Sequence, residues 1–529
     1  MRAQDYFKPS GVISMRIRVP RVSAALLPIL ALALATPLLA QRRFFFQPGA
    51  QQHPYDPKPT DPPPVVTHHQ ITIGGQTYAY TATTGRLPVP DAEGKTEAHI
   101  FFVAYTLDGA KAGSRPLSFI YNGGPGEPAI WVQMGGFAPK RIELQEDGTL
   151  PPPPYKLVDN QESWLPFTDM VFIDPDGTGY SRAVNEKALK YTSGVAGDLQ
   201  SLSQFIRLYL TNYGRLSSPL YIAGESYGTF RSAGLAGYLA QQGIALNGVV
   251  LLSSVLNMHT LDESPDNDLP NVLFVPSYAA IAWYHKKLPA DLEKLTLPEL
   301  EKQVENWATH DYMMDLEMGD RLQGAARQQA ITQMARYTGL DPKLLDNYNL
   351  RIDSSLFESS LLRGEKRAVG RLDGRMTSFN RIPGNPYNDF DPSWVQRPVY
   401  TQMFLKYVRE NLGYKTDEVY GGGIARPWQF NMDYDQNMST LLESAFAKNP
   451  YMKLMLAGGY YDLACPFFEA EYSMWHLFLP PSEQSHIVVE LYQTGHMIYQ
   501  DTPSRTKLAK DVEQFIANSS HDQPMNLTH

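Results

Sequence analysis

Six short apolar runs constrain this chain more than any other feature: residues 117–121, 170–173, 220–223, 248–252, 454–457 and 487–491, each about one strand long. Strands that are apolar on both faces need cover on both sides, which helices packed on a mostly parallel sheet provide. Between the second and third runs Val195, Leu199, Leu202, Phe205, Ile206 and Tyr209 recur at helical spacing, which predicts a covering helix. Ahead of the first run, Ile71-Thr72-Ile73 and the alternating 77–80 segment flank Gly74-Gly75, and a further strand-like run covers 99–105. Gly-Gly between two alternating runs is a hairpin signal, so the sheet should begin with an antiparallel edge. The expected fold class is therefore α/β, with helices on both faces of the sheet.

The rhythm breaks between residues 257 and 391. Charged helical patterns at 292–307 and 320–337 are followed by a Gly/Arg/Asn/Pro-rich passage from 363 to 392. Strand-and-helix alternation then resumes, which favours an insertion over the sheet, a helical lid, above a separate binding module. The sheet domain is expected from 67–256 together with 392–520, the lid from 257–391, and a tail from 521–529. No repeat of 20–50 residues interrupts this plan.

Among the 529 residues 43% are hydrophobic and 19% charged, as in a folded globular protein, and the formal net charge is −9. That balance argues against a nucleic-acid partner, because phosphate contacts need concentrated basic charge. One cysteine, Cys465, rules out an internal disulfide. At the N-terminus Arg16, Arg18 and Arg21 precede an apolar run from 22 to 40, the order of charge, apolar stretch and small residues found in secretion signals. Residues 1–40 are read as a signal peptide cut after Ala35 or Ala40 in preference to a retained anchor. Residues 1–14 are a candidate over-long start, since Met15 precedes the arginines. A Pro/Gln-rich linker, 41–66, follows, and no later run reaches the roughly 18 apolar residues of a membrane span. The expectation is an exported protein, periplasmic or extracellular, with no stable membrane insertion once the signal is removed.

The chemistry starts at Gly224-Glu225-Ser226-Tyr227-Gly228, which has a strand before it and a helix-forming run after it. A Gly-x-Ser-x-Gly turn in that setting lifts the serine hydroxyl clear of the sheet as a nucleophile, the flanking glycines permitting the tight turn. Attack on a carbonyl creates an oxyanion that preoriented backbone amides can stabilise. Asn122-Gly123-Gly124-Pro125-Gly126, at the end of the first apolar run, could supply one, and Gly124 N–H and Tyr227 N–H form the expected pair. Chain order in such sheets is serine, acid, histidine. Of twelve histidines, His496 has a strand before it, Gly495 beside it and a helix after it. Asp462 follows the fifth run and Gly458-Gly459, and is preferred over Glu469, which lies deeper in a helix. No His-Glu-x-x-His or paired-cysteine pattern is present, and His68-His69 read as surface or packing residues, so no metal and no cofactor is expected.

Taken together these residues resemble a known family. Asn122 to Gly126, Phe172-Ile173-Asp174-Pro175 with Gly177-Thr178-Gly179-Tyr180-Ser181, Gly224 to Gly228, Tyr461-Asp462-Leu463-Ala464-Cys465 and Gly495-His496-Met497 are similar, in order over about residues 70–520, to the serine carboxypeptidases of peptidase family S10. The resemblance implies an α/β-hydrolase fold with a helical lid and the release of C-terminal residues from peptides with a free C-terminus, favoured at acidic pH. It implies a triad of Ser226, Asp462 and His496, and an oxyanion hole of Gly124 and Tyr227. It also implies that Asn122, Gly123 and Glu225 hold the substrate carboxylate, and that Cys465 and Met497 line the pocket for the leaving residue. Ile120, Glu127 and Gly136 stand where better-known eukaryotic members have tryptophan, cysteine and a second glutamate. That pattern looks like the bacterial branch of the family. It makes Glu127 a substitute candidate for the missing acid, and leaves an esterase or acyltransferase with the same triad as the alternative.

Overall fold

The computed structural model describes residues 55–56, 62–111, 113–385, 391–421, 428–430 and 436–520. The expected signal peptide, most of the expected linker and the expected tail lie outside these residues. Nine principal strands build the sheet: β1 (Val65–Ile73), β2 (Gln76–Pro90), β3 (Thr96–Leu107), β4 (Leu117–Tyr121), β5 (Asp169–Ile173), β6 (Leu220–Ser226), β7 (Gly248–Ser254), β8 (Lys453–Gly459) and β9 (Ile487–Tyr492). Their spatial order is β1-β2-β3-β5-β4-β6-β7-β8-β9. The first three strands and the β3–β5 pair are antiparallel, and every pairing from β5 across to β9 is parallel. The hairpin turns at Gly74-Gly75, where both φ values are positive. The first strand starts at Val65, which pairs with Thr84.

Neighbouring residues on one strand enter two different cores, as strands buried on both faces require. Phe119, Ile222, Val249 and Leu454 pack on one face, with α1 (Val195–Asn212), α2 (Tyr227–Gln241) and α7 (Ser439–Lys448). Ile120, Tyr221, Val250 and Met455 pack on the other, with α6 (Arg397–Glu410) and α9 (Thr502–Ser519). This is the α/β-hydrolase arrangement. The edge strand β9 departs from expectation, since Val488 is 42% and Val489 39% exposed.

The insertion carries α3 (Leu269–Tyr284), α4 (Leu297–Trp307) and α5 (Gly324–Thr338). Residues of α3, α4 and α5 form a third core that also takes in Tyr460, Tyr461 and Leu463 and, from α8 (Phe467–Trp475), Phe467 and Phe468. The expected helix at 292–307 begins later, at Leu297, because Thr296 and Glu299 form a reciprocal capping box there. The α3 helix was not expected: it is buried on nearly all sides and contains Pro276, so its sequence has no amphipathic period to read. Among the described residues no helix is long and apolar enough to cross a membrane.

Burial of acids gives the fold a pH dependence. Burial pushes Asp174, Asp176, Glu263 and Glu469 up to about 7. It carries Glu301 and Glu358 well above the ordinary carboxylate range, and both oxygens of Glu301 lack a hydrogen-bond partner. Groups raised on folding contribute stability that is complete below their unfolded values, about 3.9 for Asp and 4.3 for Glu, and is lost as pH rises through the folded values. The thermal midpoint should therefore fall between pH 4.5 and 7.5 by scanning calorimetry; a midpoint that rises across that range contradicts this reading.

Candidate active site

The carboxyl end of β6 carries Ser226, and the loops leaving β4, β8 and β9 carry Asn122, Asp462 and His496. Parallel strands place all such ends on one edge of the sheet, so residues far apart in sequence become neighbours. The serine ends β6 with φ 61 and ψ −131, immediately before α2. A non-glycine residue in that region costs on the order of 1–3 kcal/mol and persists only when its surroundings enforce it. A Cβ at Gly224 would strike the Gly228 carbonyl, which keeps the turn tight. Thr229 Oγ1 donates to the Ser226 carbonyl at 2.7 Å and accepts from Val255 N at 2.9 Å. Below the turn the fully buried Arg231 donates to Asp198 Oδ2 at 2.7 Å and to the Asn122 carbonyl at 2.6 Å. Its guanidinium lies over the rings of Tyr121 and Tyr227, so one cation ties the helix after the serine to the loop after β4.

Asp462 is completely buried. Its Oδ2 meets His496 Nδ1 at 2.7 Å, and its Oδ1 accepts from Ala464 N at 2.7 Å and Cys465 N at 3.0 Å. The backbone bonds aim the carboxylate, and the carboxylate aims the ring. Burial acts to lower the His496 pKa, but the charge and hydrogen bond of Asp462 outweigh it and the net shift is upward. The rival Glu469 instead accepts from Thr260 Oγ1 at 2.6 Å and Ser473 Oγ at 2.8 Å, anchoring α8. Ser226 and His496 share no hydrogen bond here; the Cys465 thiol lies beside the serine hydroxyl. Substrate-free catalytic sites are commonly loose at this contact and tighten on binding.

The passage 371–375 of the insertion, not singled out in sequence, holds both loops. Leu463 N donates to the Arg371 carbonyl at 3.0 Å, Gly374 N to the Tyr461 carbonyl at 2.9 Å and His496 N to the Leu372 carbonyl at 2.6 Å. Arg375 then joins Asp373 Oδ2 at 2.6 Å to Asp501 Oδ2 at 3.1 Å and donates to the Gln493 carbonyl at 3.0 Å. The only sequence signal for this wedge is its glycine and arginine content.

The glycine loop presses on the elbow: a Cβ at Gly123 would collide with the backbone nitrogens of Tyr227 and Gly228. Gly124 follows directly, at φ +102, and the Tyr227 amide opens α2. Asp174, in the Phe172-to-Ser181 motif, fixes the same loop by accepting from Ala129 N at 2.9 Å.

Asn122 Nδ2 donates to Glu225 Oε1 at 2.9 Å, and Asn122 Oδ1 accepts from Val132 N at 3.2 Å. Burial pushes the Glu225 carboxyl up to about 7; the charge of Asp462 adds to the rise, while His496, Tyr499 and Asn122 oppose it. Glu127 is drawn away from this pair: it accepts from Arg397 at 3.0 Å and from the Trp131 indole at 3.3 Å. Gly136 has no room for a side chain, since a Cβ there would lie 2.5 Å from the Cβ of Tyr499. Met497 Sδ accepts from Gln500 Nε2 at 3.1 Å.

A sequence model of the family described as serine carboxypeptidase matches residues 76–486. The chain is 22% identical over 310 residues to "Serine carboxypeptidase S10 family member 1" of Dictyostelium discoideum, covering 58% of this chain and 68% of that protein. It is 31% identical over 122 residues to "Serine-type carboxypeptidase F" of Aspergillus niger, covering 22% of each. Among solved structures, the proline iminopeptidase of Mycobacterium smegmatis is similar at 14% identity with a TM-score of 0.34, covering 82% of this chain and 98% of its own.

Proposed function

The chain belongs to the serine carboxypeptidase family, and from that premise we propose that it releases C-terminal residues from peptides through an acyl-enzyme formed on Ser226. In this reading His496 removes the serine proton as Oγ attacks the scissile carbonyl, and Asp462 holds the imidazole tautomer and stabilises its positive charge. The amides of Gly124 and Tyr227 receive the oxyanion. Collapse of the tetrahedral intermediate passes the proton from His496 to the leaving amine, and water then repeats the sequence to free the acid. Cys465 and Met497 line the pocket for the leaving residue.

The observation that carries the exopeptidase reading is the buried Asn122–Glu225 pair one residue from the serine. Glu225 can hydrogen-bond a substrate carboxylate only while one of the two is protonated, because two adjacent anions repel. With its pKa near 7, Glu225 is neutral in mild acid, and carboxylate binding is lost as pH rises past that value. The base works in the opposite sense, since His496 must be neutral to accept the proton. Peptides with free C-termini should therefore be cleaved best in mild acid, whereas blocked esters gain rate with rising pH. We place the chain in the bacterial branch on Ile120, Glu127 and Gly136, and read residues 1–40 as its export signal.

The test is hydrolysis of one peptide with free and with amidated C-terminus across pH 4–8, followed by mass spectrometry. The proposal expects stepwise loss of C-terminal residues from the free acid and strong discrimination against the amide below pH 7. Equal cleavage of both overturns it in favour of a general esterase or acyltransferase. Glu225→Gln gives a second check, because the substituted side chain is neutral at every pH. Its KM for the free-acid peptide should lose the rise above pH 7. The acidic limb of its ester profile should move to lower pH, since the carboxylate that helps raise His496 is gone. An unchanged KM profile contradicts the role of Glu225.

A further inference from the structure

Beside the Asn122–Glu225 pair lie three buried oxygens that complete no hydrogen bond: Glu225 Oε2, the Tyr499 hydroxyl and the Tyr400 hydroxyl. Buried polar atoms are paired in all but a few instances, and unpaired ones close together call for a reason. Tyr499 is the central one. Its hydroxyl lies against both Glu225 and Asn122, and its ring is fixed from three sides. Gly135 and Gly136 pack against it so closely that neither could carry a Cβ. Phe137 meets it edge-on at 5.2 Å, and its carbonyl accepts from Arg505 at 3.2 Å. Tyr400, tilted against Trp131 with ring centroids 4.6 Å apart, approaches Gly135 from α6.

A hydroxyl held rigidly against a carboxyl–amide pair, completing a hydrogen bond to neither, can turn its proton to an incoming acceptor. Glu225 offers one acceptor, but it already receives Asn122 on Oε1 and must donate its own proton to bind a carboxylate. An incoming carboxylate has two oxygens with about four lone-pair sites. Glu225 and Asn122 supply two donors, which leaves room for a third.

Resting on the carboxypeptidase reading of this site, we propose that Tyr499 is a specificity-determining residue whose hydroxyl donates a hydrogen bond to the terminal carboxylate of the substrate. The ring is delivered to that position by the side-chain-free surface of Gly135 and Gly136. A hydrogen bond to a charged group made in a buried site is worth roughly 10- to 100-fold in binding.

The experiment compares wild type and Tyr499→Phe at pH 5, where Glu225 is neutral, on one peptide as free acid and as C-terminal amide. The expected result is a fall of about 10- to 100-fold in the ratio of kcat/KM for acid over amide, carried by KM for the free acid. The thermal midpoint should stay within a degree or two or rise, because the hydroxyl removed completes no hydrogen bond in the fold. Three results overturn the inference. One is an acid-to-amide ratio unchanged at pH 5 with only the alkaline limb displaced, which makes Tyr499 a residue acting through Glu225. Another is an equal loss on both substrates, which makes it part of the general pocket wall. The last is a large drop in thermal midpoint, which shows the hydroxyl bonded within the protein. A wild type that does not distinguish acid from amide rejects the carboxypeptidase reading itself, a separate outcome read from the unsubstituted enzyme.

Discussion

Ser226→Ala should lower turnover by about a millionfold, with the fold and substrate affinity nearly unchanged. The serine sits at φ 61 in a turn enforced by its neighbours: Gly224 against Gly228, Thr229 on the serine carbonyl, Arg231 beneath. None of these uses the hydroxyl, so alanine meets the same backbone strain and no larger side chain. What is lost is the atom that becomes bonded to the acyl group. Because nucleophile, base and orienting acid act as a unit, His496→Ala should cost a similar factor, and the double substitution little more than either alone. Residual activity should come from the amide donors and binding alone. The measurement is kcat for a free-acid peptide, with circular dichroism as the folding control. A loss smaller than a hundredfold in a folded protein is incompatible with Ser226 as nucleophile.

Asp462→Asn is expected to cost about 10⁴-fold in kcat, and the local geometry says why. Oδ1 of Asp462 is committed to two backbone donors, Ala464 N and Cys465 N. An asparagine must keep its carbonyl oxygen there, since an NH₂ group would face two N–H donors. Its Nδ2 is then turned to His496 Nδ1, where the carboxylate oxygen now accepts. Donating to Nδ1 forces the ring proton onto Nε2, the nitrogen that must accept from serine. Removing the charge also withdraws the main influence that raises His496, so the residual activity should show its acidic limb at lower pH. Both backbone bonds survive, so the thermal midpoint should change little. Activity within tenfold of wild type contradicts this account of the acid.

The sheet was legible because burial on both faces writes continuous apolar runs, and all six runs are strands of one sheet. The α1 helix was legible because one face is buried and the other solvated, which leaves a period. The α3 helix, enclosed by the third core, has no such contrast. Chain order and strand ends pointed to Asp462 and His496, and the structure brings these two side chains to 2.7 Å. The wedge at 371–375 was hidden because it works through backbone carbonyls, which no side-chain pattern reports. Tyr499 was hidden too, being one aromatic among many, and its position matters only once Gly135 and Gly136 are seen to leave space for its ring. The exposure of Val488 and Val489 on β9 shows the converse, because an edge strand can carry the apolar composition of a central one.

The most direct measurement of the central claim is covalent labelling with a fluorophosphonate, which traps only an activated serine, followed by peptide mapping. The account predicts one adduct, on Ser226, formed more slowly in Asp462→Asn and abolished in His496→Ala. Peptide cleavage that continues with Ser226 unlabelled, or an adduct on another serine that accounts for the lost activity, would contradict it.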